Sequence, residues 1–303
     1  MGSPLKLIIG AKKEHIDSVQ STQLAQETLR FIDSLNHILS DYDSVSELSL
    51  INQQAGNGFQ PISPLLEEIL LIAQNAYYQT KGAYNIAIGP LSLLWRNARQ
   101  EKVFPSKAQI IEAQKLIAFD QIIIDSIKHQ IYIPNKAMRL DLGSLGKGFV
   151  AQKAINFLQN KGVQYAMIDA GGKIVTLAPV NEYWQIGINR LREKNKTIAT
   201  SIRLSNQAVS TSGDAFQFYM YNGHRYSHII NPLSGYGIEI PKNVTVIASN
   251  GVTADWLSTA CSLLTVRESI QLAANYNAQI LIAIQKGKTI QYFKSKGFDA
   301  YLN

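Results

Sequence analysis

The apolar residues of this chain change period part of the way along, and that change limits the folds open to it. Between residues 17 and 40, Leu24, Phe31, Leu35 and Ile38 recur at helical spacing, and Ser40-Asp41-Tyr42-Asp43-Ser44 ends the pattern as a polar loop. Pro61 and Pro64 open a second helix over 64–80, and Gly82 closes it. Short runs at Gln121–Asp125 and Gln130–Ile133 read as a hairpin turning through Ser126-Ile-Lys-His129. Met138–Leu142 reads as a further strand, followed by a glycine turn and a helix over about 146–160. Tyr165–Asp169 is a strand feeding Gly171-Gly172. Beyond it come mainly strand-like runs: Trp184–Asn189, Thr197–Leu204, Ala208–Ser210, Tyr226–Ile230 and Val244–Ala248. Helices near 253–265 and 267–275 and a hairpin around Lys286-Gly287-Lys288 complete the chain. Helices gathered early and strands gathered late predict an α+β fold with a mixed, largely antiparallel sheet. No linker interrupts the chain, so residues 1–303 are expected to form a single domain.

Composition narrows the functional classes. The chain has 303 residues, of which 46% are hydrophobic and 17% charged, which excludes a disordered tail. Cys261 is its only cysteine, which excludes internal disulfides and thiolate metal clusters. The net charge is +7, but no dense Lys/Arg cluster interleaved with aromatics occurs, so nucleic-acid binding is not expected. Attraction for a smaller anion is the milder reading. No run of about eighteen apolar residues occurs, so no transmembrane helix is expected. Leu5–Gly10 is followed at once by Lys12, Lys13 and Glu14; it reads as a first strand, and an export signal is either absent or already removed.

Three segments carry candidate chemistry. The first, Asp141-Leu-Gly-Ser-Leu-Gly-Lys-Gly148, sets three glycines and a lysine before a helix, where backbone N–H groups meet phosphate oxygens. A Walker A loop is excluded, because Lys147 is followed by Gly148 and not Ser or Thr. Gly146-Lys-Gly148-Phe-Val-Ala151, with Asp169 about 20 residues on, fits a dinucleotide fingerprint and an oxidoreductase; a tight turn with close helix packing is the plainer alternative. Ser144-Leu-Gly-Lys147 has S-x-x-K spacing without its partner motifs. In the second segment, Tyr226–Gly235, His228 lies inside an apolar strand run, where an imidazole is either a base or a hydrogen-bonded core residue. Upstream, Ser210-Thr-Ser-Gly-Asp214 reads as a turn that gathers hydroxyls and a carboxylate, but no nucleophile elbow accompanies it. The third segment is Gly251-Val-Thr-Ala-Asp-Trp-Leu-Ser-Thr-Ala260. Asp255 and Thr259 stand four apart on one helix face, which suits a hard cation, or serves only the helix dipole.

Together and in this order the segments resemble the ApbE-type FAD:protein FMN transferases. The resemblance runs through Met1-Gly-Ser-Pro4, Asp41–Ser49 with Asn52, Gly82–Leu91 with Trp95, Leu140–Gly148, Asp169-Ala-Gly-Gly172, Ser212-Gly-Asp214, Tyr226–Pro232 and Thr253–Thr259. It implies a transferase that moves FMN from FAD to a Thr or Ser hydroxyl of a target flavoprotein with Mg2+, releasing AMP. It places Met1, Tyr42, Ala83, Tyr84, Asn85, Asp141, Lys147, Ile229 and Ile230 at FAD. Asp255, Thr259, a carbonyl at Ser144 and, less directly, Ser258 would hold the metal. His228 would act as base or position the diphosphate, with Asp255 its catalytic companion. The resemblance also implies a periplasmic or membrane-associated protein, with a cytoplasmic one left open.

The chain departs from that pattern at several positions. The family usually carries Asp at Asn85, Gln152, Lys173 and often Asn231, and Thr at Ala87. Several carboxylates are therefore missing together, and Lys173 reverses a sign. FAD and Mg2+ binding are expected to survive, with rate or target choice altered. An FAD-binding or carrier protein with weak FAD pyrophosphatase activity is the alternative.

Overall fold

The computed structural model describes residues 4–10, 18–188, 200–213 and 218–302. In chain order its helices are α1 (Ser18–Leu39), α2 (Glu47–Gln53), α3 (Pro64–Gln79), α4 (Gly89–Glu101), α5 (Lys107–Lys115), α6 (Gly146–Asn160), α7 (Gly251–Leu263) and α8 (Val266–Asn275). Its strands are β1 (Leu5–Ile9), β2 (Gln60–Pro61), β3 (Ile123–Asp125), β4 (Gln130–Tyr132), β5 (Ala166–Ala170), β6 (Lys173–Leu177) and β7 (Trp184–Ile188). They continue with β8 (Thr200–Leu204), β9 (Ala208–Gly213), β10 (Phe218–Tyr221), β11 (His224–Ser227), β12 (Lys242–Ala248), β13 (Gln279–Lys286) and β14 (Thr289–Lys294). The fold is α+β, and the chain divides into two units.

One unit holds the residues up to Leu35, Leu145–Gly213 and those from Lys242 on. Its centre is a seven-stranded sheet in the order β1-β5-β6-β9-β12-β13-β14. Every neighbouring pair in it is antiparallel. That pairing removes the dinucleotide-fingerprint reading, which needs parallel strands and crossover helices. Strand alternation sorts the faces. Met167, Val209, Ile247 and Leu281 point to one side, where the antiparallel pair β7–β8 and Phe298 cover them. Helices α6, α7 and α8 cover the opposite side, α6 over β5 and β6, α7 over β9 and β12.

The other unit holds Asn36–Ser144 and the residues from Asp214 to Pro241. Helices α2 to α5 pack with two small antiparallel sheets, β2-β4-β3 and β10-β11. Ser63 caps α3 through the Leu66 N–H with Pro64 at N1, and Ser106 and Gln109 form a capping box on α5. A core of Leu91, Trp95, Ile110, Ala113 and Ile230 is closed by the Trp95 indole N–H, which donates to the Gly235 carbonyl at 2.8 Å.

Two expectations change. Met138–Leu142 is extended but is not a strand: Leu140 N–H goes to Asn52 Oδ1, Asp141 N–H to the Ile86 carbonyl, and the Arg139 carbonyl accepts from Gly89. Those bonds brace α2 and the turn before α4 in place of a ladder. The Tyr226–Ile230 strand is shorter than its apolar run predicts. β11 stops at Ser227, whose hydroxyl accepts the Ile229 N–H at 3.0 Å and turns the chain.

Candidate functional site

The helix-covered face of β6 and β9 carries a polar cluster inside the unit that holds the large sheet. Lys173 and Ser210 are direct cross-strand partners, so their side chains share a face, and the strand period adds Ser212 to the same row. Helix α7 lies over that row and lowers Asp255 and, one turn on, Ser258 and Thr259 onto it. Asp255 and Ser258 are fully buried, and the Lys173 side chain is 8% exposed. Ser210–Gly213 is thus strand, not the turn expected from its hydroxyls; Asp214 lies outside the described residues.

Hydrogen-bond directions in the cluster follow from one fixed donor. The Ser258 hydroxyl donates to the Asp255 carbonyl at 2.8 Å, so it can only accept from Ser210 at 2.8 Å and Ser212 at 2.7 Å. Having donated there, Ser212 must accept from Thr259 at 3.2 Å. Both strand serines are therefore acceptors toward Lys173, whose Nζ lies 2.8 Å from Ser210 Oγ, 3.2 Å from Ser212 Oγ and 3.0 Å from the Thr211 carbonyl. Three acceptors match three N–H donors. A neutral amine has two, so this arrangement is built for the ammonium. Burial pushes Lys173 down from the usual lysine range, and the Asp255 carboxylate opposes that push.

Asp255 Oδ1 stands 3.1 Å from Lys173 Nζ as an ion pair, with no N–H aligned on it. Oδ2 accepts the Gly148 backbone N–H at 2.8 Å. That bond needs the first turns of α6 and α7 in close approach. A Cβ on Gly148 would sit 2.2 Å from the Gly251 carbonyl oxygen and 2.5 Å from Asp255 Cβ, so the glycine-rich segment is required by packing at this point. Leu145 caps α6 without a side-chain bond, and Lys147 is partly exposed in its first turn.

These residues do not fit a Mg2+ ion of the kind the resemblance implies. Mg2+ takes six oxygens, typically one or two carboxylates with waters or phosphates. Among the described residues the cluster offers one carboxylate, already paired with an ammonium. Among the described residues no group of three His, Cys, Asp or Glu gathers to hold an ion. Ser258 has no free lone pair, because one proton is donated and two are accepted at its oxygen. A dication about 4 Å from Nζ would be repelled by roughly 8 kcal/mol at an effective dielectric of about 20.

The remaining candidates lie in the other unit. Tyr84 is buried, and its hydroxyl accepts from Ser144 Oγ at 2.8 Å. Asn85, also buried, uses Oδ1 to accept the Ala87 N–H at 2.8 Å and caps a short helical turn; it holds backbone where a carboxylate was expected. Asp141 accepts the Gly143 N–H in the same manner, and Ala83 is partly exposed beside Gly82. Tyr42 is 71% exposed, with the Arg96 guanidinium 4.0 Å above its ring. Arg96 also donates to Asp41 Oδ2 at 2.6 Å, and Arg139 donates to the Asp41 carbonyl at 3.1 Å. Burial, then Asp141, pushes the Asp41 carboxyl up, and Arg96 opposes them.

His228 is exposed at the bend after β11, not enclosed in an apolar strand. Ile229 and Ile230 are buried, and Ile230 packs in the Trp95 core. Met1 lies outside the described residues. Asp255 and Thr259 come together as the helix spacing predicts, with Ser258 beside them; Tyr84 meets Ser144 through a hydroxyl contact that spacing does not show. Sequence reasoning missed Ser210 and Ser212 as partners of Lys173, and Asp41 with Arg96. The i, i+2 serines opposite a lysine amid apolar strand residues were the available signal.

An antiparallel α+β fold with a buried acid held at the first turns of two helices defines the class. Residues 1–282 match the ApbE family, and the chain belongs to that family. A curated relative from Klebsiella pneumoniae, named FAD:protein FMN transferase, is 28% identical over 280 residues, covering 89% of this chain and 85% of that protein. The Haemophilus influenzae protein of the same name is 29% identical over 303 residues, covering 95% and 86%. Among solved structures, the flavin transferase ApbE from Vibrio cholerae superposes with a TM-score of 0.86 at 23% identity, over 100% of this chain and 96% of that one, a likeness of fold. The ApbE protein from Thermotoga maritima gives the same TM-score and coverage at 25% identity. No helix among the described residues is long and apolar enough to cross a membrane.

Proposed function

We propose that this chain is an FAD:protein FMN transferase, acting as one functional domain that moves FMN from FAD to a Thr or Ser hydroxyl of a target flavoprotein. The observation that carries the proposal is the family match over residues 1–282, joined to relatives of that name aligned over most of both chains. The acceptor hydroxyl oxygen forms a bond to the FMN phosphorus. The diphosphate P–O bond to the AMP half breaks, AMP departs with that electron pair, and the hydroxyl proton goes to a base. His228, exposed at the bend after β11, is proposed as that base. The first turn of α6 with Lys147 is proposed to stabilise negative charge on the diphosphate. Tyr42, Ala83, Tyr84, Asn85 and Asp141 are proposed on the flavin and adenosine side, with Met1, Ile229 and Ile230 carried by the resemblance. Asp255, locked between Gly148 and Lys173, fixes the α6 turn. Mg2+ is assigned no step, because the Asp255 cluster does not fit it. A periplasmic or membrane-associated setting is proposed for this chain, as the resemblance implies.

The test incubates the purified protein with FAD and a co-encoded flavoprotein, once with Mg2+ and once with EDTA. Mass spectrometry of the acceptor and chromatography of the nucleotides are the readouts. One FMN on a Thr- or Ser-containing peptide, with one AMP released per adduct, is expected. No adduct and no AMP in either condition, with FAD bound, contradicts the proposal.

A further inference from the structure

Lys173 stands where the family pattern has a carboxylate, and the structure gives its charge a complete set of partners. Three acceptors satisfy its three N–H donors, and the one carboxylate that the described residues bring to the cluster lies 3.1 Å away. Both serines that receive it are committed as donors to Ser258, so the hydrogen-bond chain runs one way, from Lys173 through the serines and Ser258 to the Asp255 carbonyl. We propose that the Lys173 ammonium is a built-in cation that replaces a divalent metal at Asp255, so that the Asp255 site of this chain takes no Mg2+ and holds its geometry without it.

Geometry supports this in three ways. Lys173 is buried on β6 at a register position that faces α7, so its amine cannot be withdrawn to solvent without opening the sheet face. Oδ2 of Asp255 is occupied by Gly148, and Oδ1, the oxygen without a hydrogen-bond donor, is the one that faces the ammonium. An orphaned carboxylate oxygen is an open metal position in an all-oxygen site; here the adjacent positive charge closes it to a second cation. Lys173 does not touch substrate in this reading. It is a positioning residue that acts through Asp255 and the α6 turn.

Lys173→Asp restores a pair of buried carboxylates and is expected to create a metal site. The readout is free Mn2+ followed by electron paramagnetic resonance, with thermal unfolding in EDTA and in millimolar Mg2+. The wild-type protein is expected to leave the Mn2+ signal undiminished and to melt at the same temperature in both solutions. Lys173→Asp is expected to bind about one equivalent of Mn2+ and to gain several degrees on adding metal. A wild-type protein that binds one equivalent, lost in Asp255→Asn, overturns the proposal, as does a folded Lys173→Asp that gains no metal. If Lys173→Asp does not fold, the wild-type titration decides alone. The activity arm rests on the transferase reading: FMN transfer by wild type should differ by less than about twofold between EDTA and Mg2+. Transfer abolished by EDTA overturns the lysine proposal. Transfer absent in both, with the Mn2+ result as expected, counts against the transferase reading alone.

Discussion

Replacing Gly148 by alanine probes the contact on which the buried cluster depends. The added methyl would lie 2.2 Å from a carbonyl oxygen and 2.5 Å from Asp255 Cβ, and the first of these belongs to backbone that no rotamer can move. Relief requires α6 and α7 to separate, which costs about 1–3 kcal/mol as overpacking. Separation also stretches the 2.8 Å bond from Gly148 N–H to a fully buried carboxylate, a loss of about 1.5–3 kcal/mol. Alanine returns about 1 kcal/mol in helix propensity. The net loss is about 1.5–5 kcal/mol, a large part of the roughly 5–15 kcal/mol that holds a protein folded. Urea unfolding followed by circular dichroism should show the midpoint fall by about 0.5–2.5 M, for a slope of roughly 2–3 kcal/mol/M. Gly187→Ala is the control, because nothing lies within 4 Å of its added methyl, and it should shift stability by about 0.5 kcal/mol or less. Equal midpoints for the two variants would refute the close-approach argument.

Other perturbations read separate parts of the account. Ser258→Ala removes the acceptor that orders Ser210 and Ser212, and should cost about 1–3 kcal/mol in chemical denaturation while Ser262→Ala, whose hydroxyl donates to a carbonyl within its own helix, costs less. Trp95→Phe leaves the Gly235 carbonyl unpaired, with a loss of about 1–2 kcal/mol in urea unfolding followed by circular dichroism. Burial pushes the Cys261 thiol up to about 12, so it stays protonated below that pH, and a thiol reagent at pH 8 should label it only after denaturation. Labelling of the native protein at the denatured rate would contradict its placement. His228→Ala should lower turnover more than FAD affinity; equal losses in both would make His228 a binding residue.

Helix α3 was legible because Pro64 occupies the first turn, where its missing N–H costs nothing, and Ser63 supplies the cap. Helix α4 is less legible although Pro90 has the same role, because the helix behind it carries many polar residues. Helix α5 carries a readable signature in Ser106-x-x-Gln109, a capping box. Met138–Leu142 shows the limit of alternation as a signal. Its pattern suits a strand, but Asn52, Ile86 and Gly89 take its backbone groups, and those partners are distant in sequence.

The site divides in the same way. Asp255 and Thr259 were readable because helix spacing alone puts them on one face, whereas Ser258 came only through the resemblance. His228 was misplaced because local apolarity predicts burial, whereas Ser227 turns the chain before the strand can enclose it. Lys173 was visible as a reversed sign. Its meaning depended on cross-strand register with Ser210 and on α7 above it, which no local pattern encodes.

The mass of the acceptor flavoprotein after incubation with this protein and FAD tests the central claim most directly. The account predicts one FMN added through a phosphoester at a Thr or Ser, matched by one AMP, in EDTA as well as in Mg2+. An acceptor of unchanged mass under both conditions, with FAD bound and intact, would contradict it.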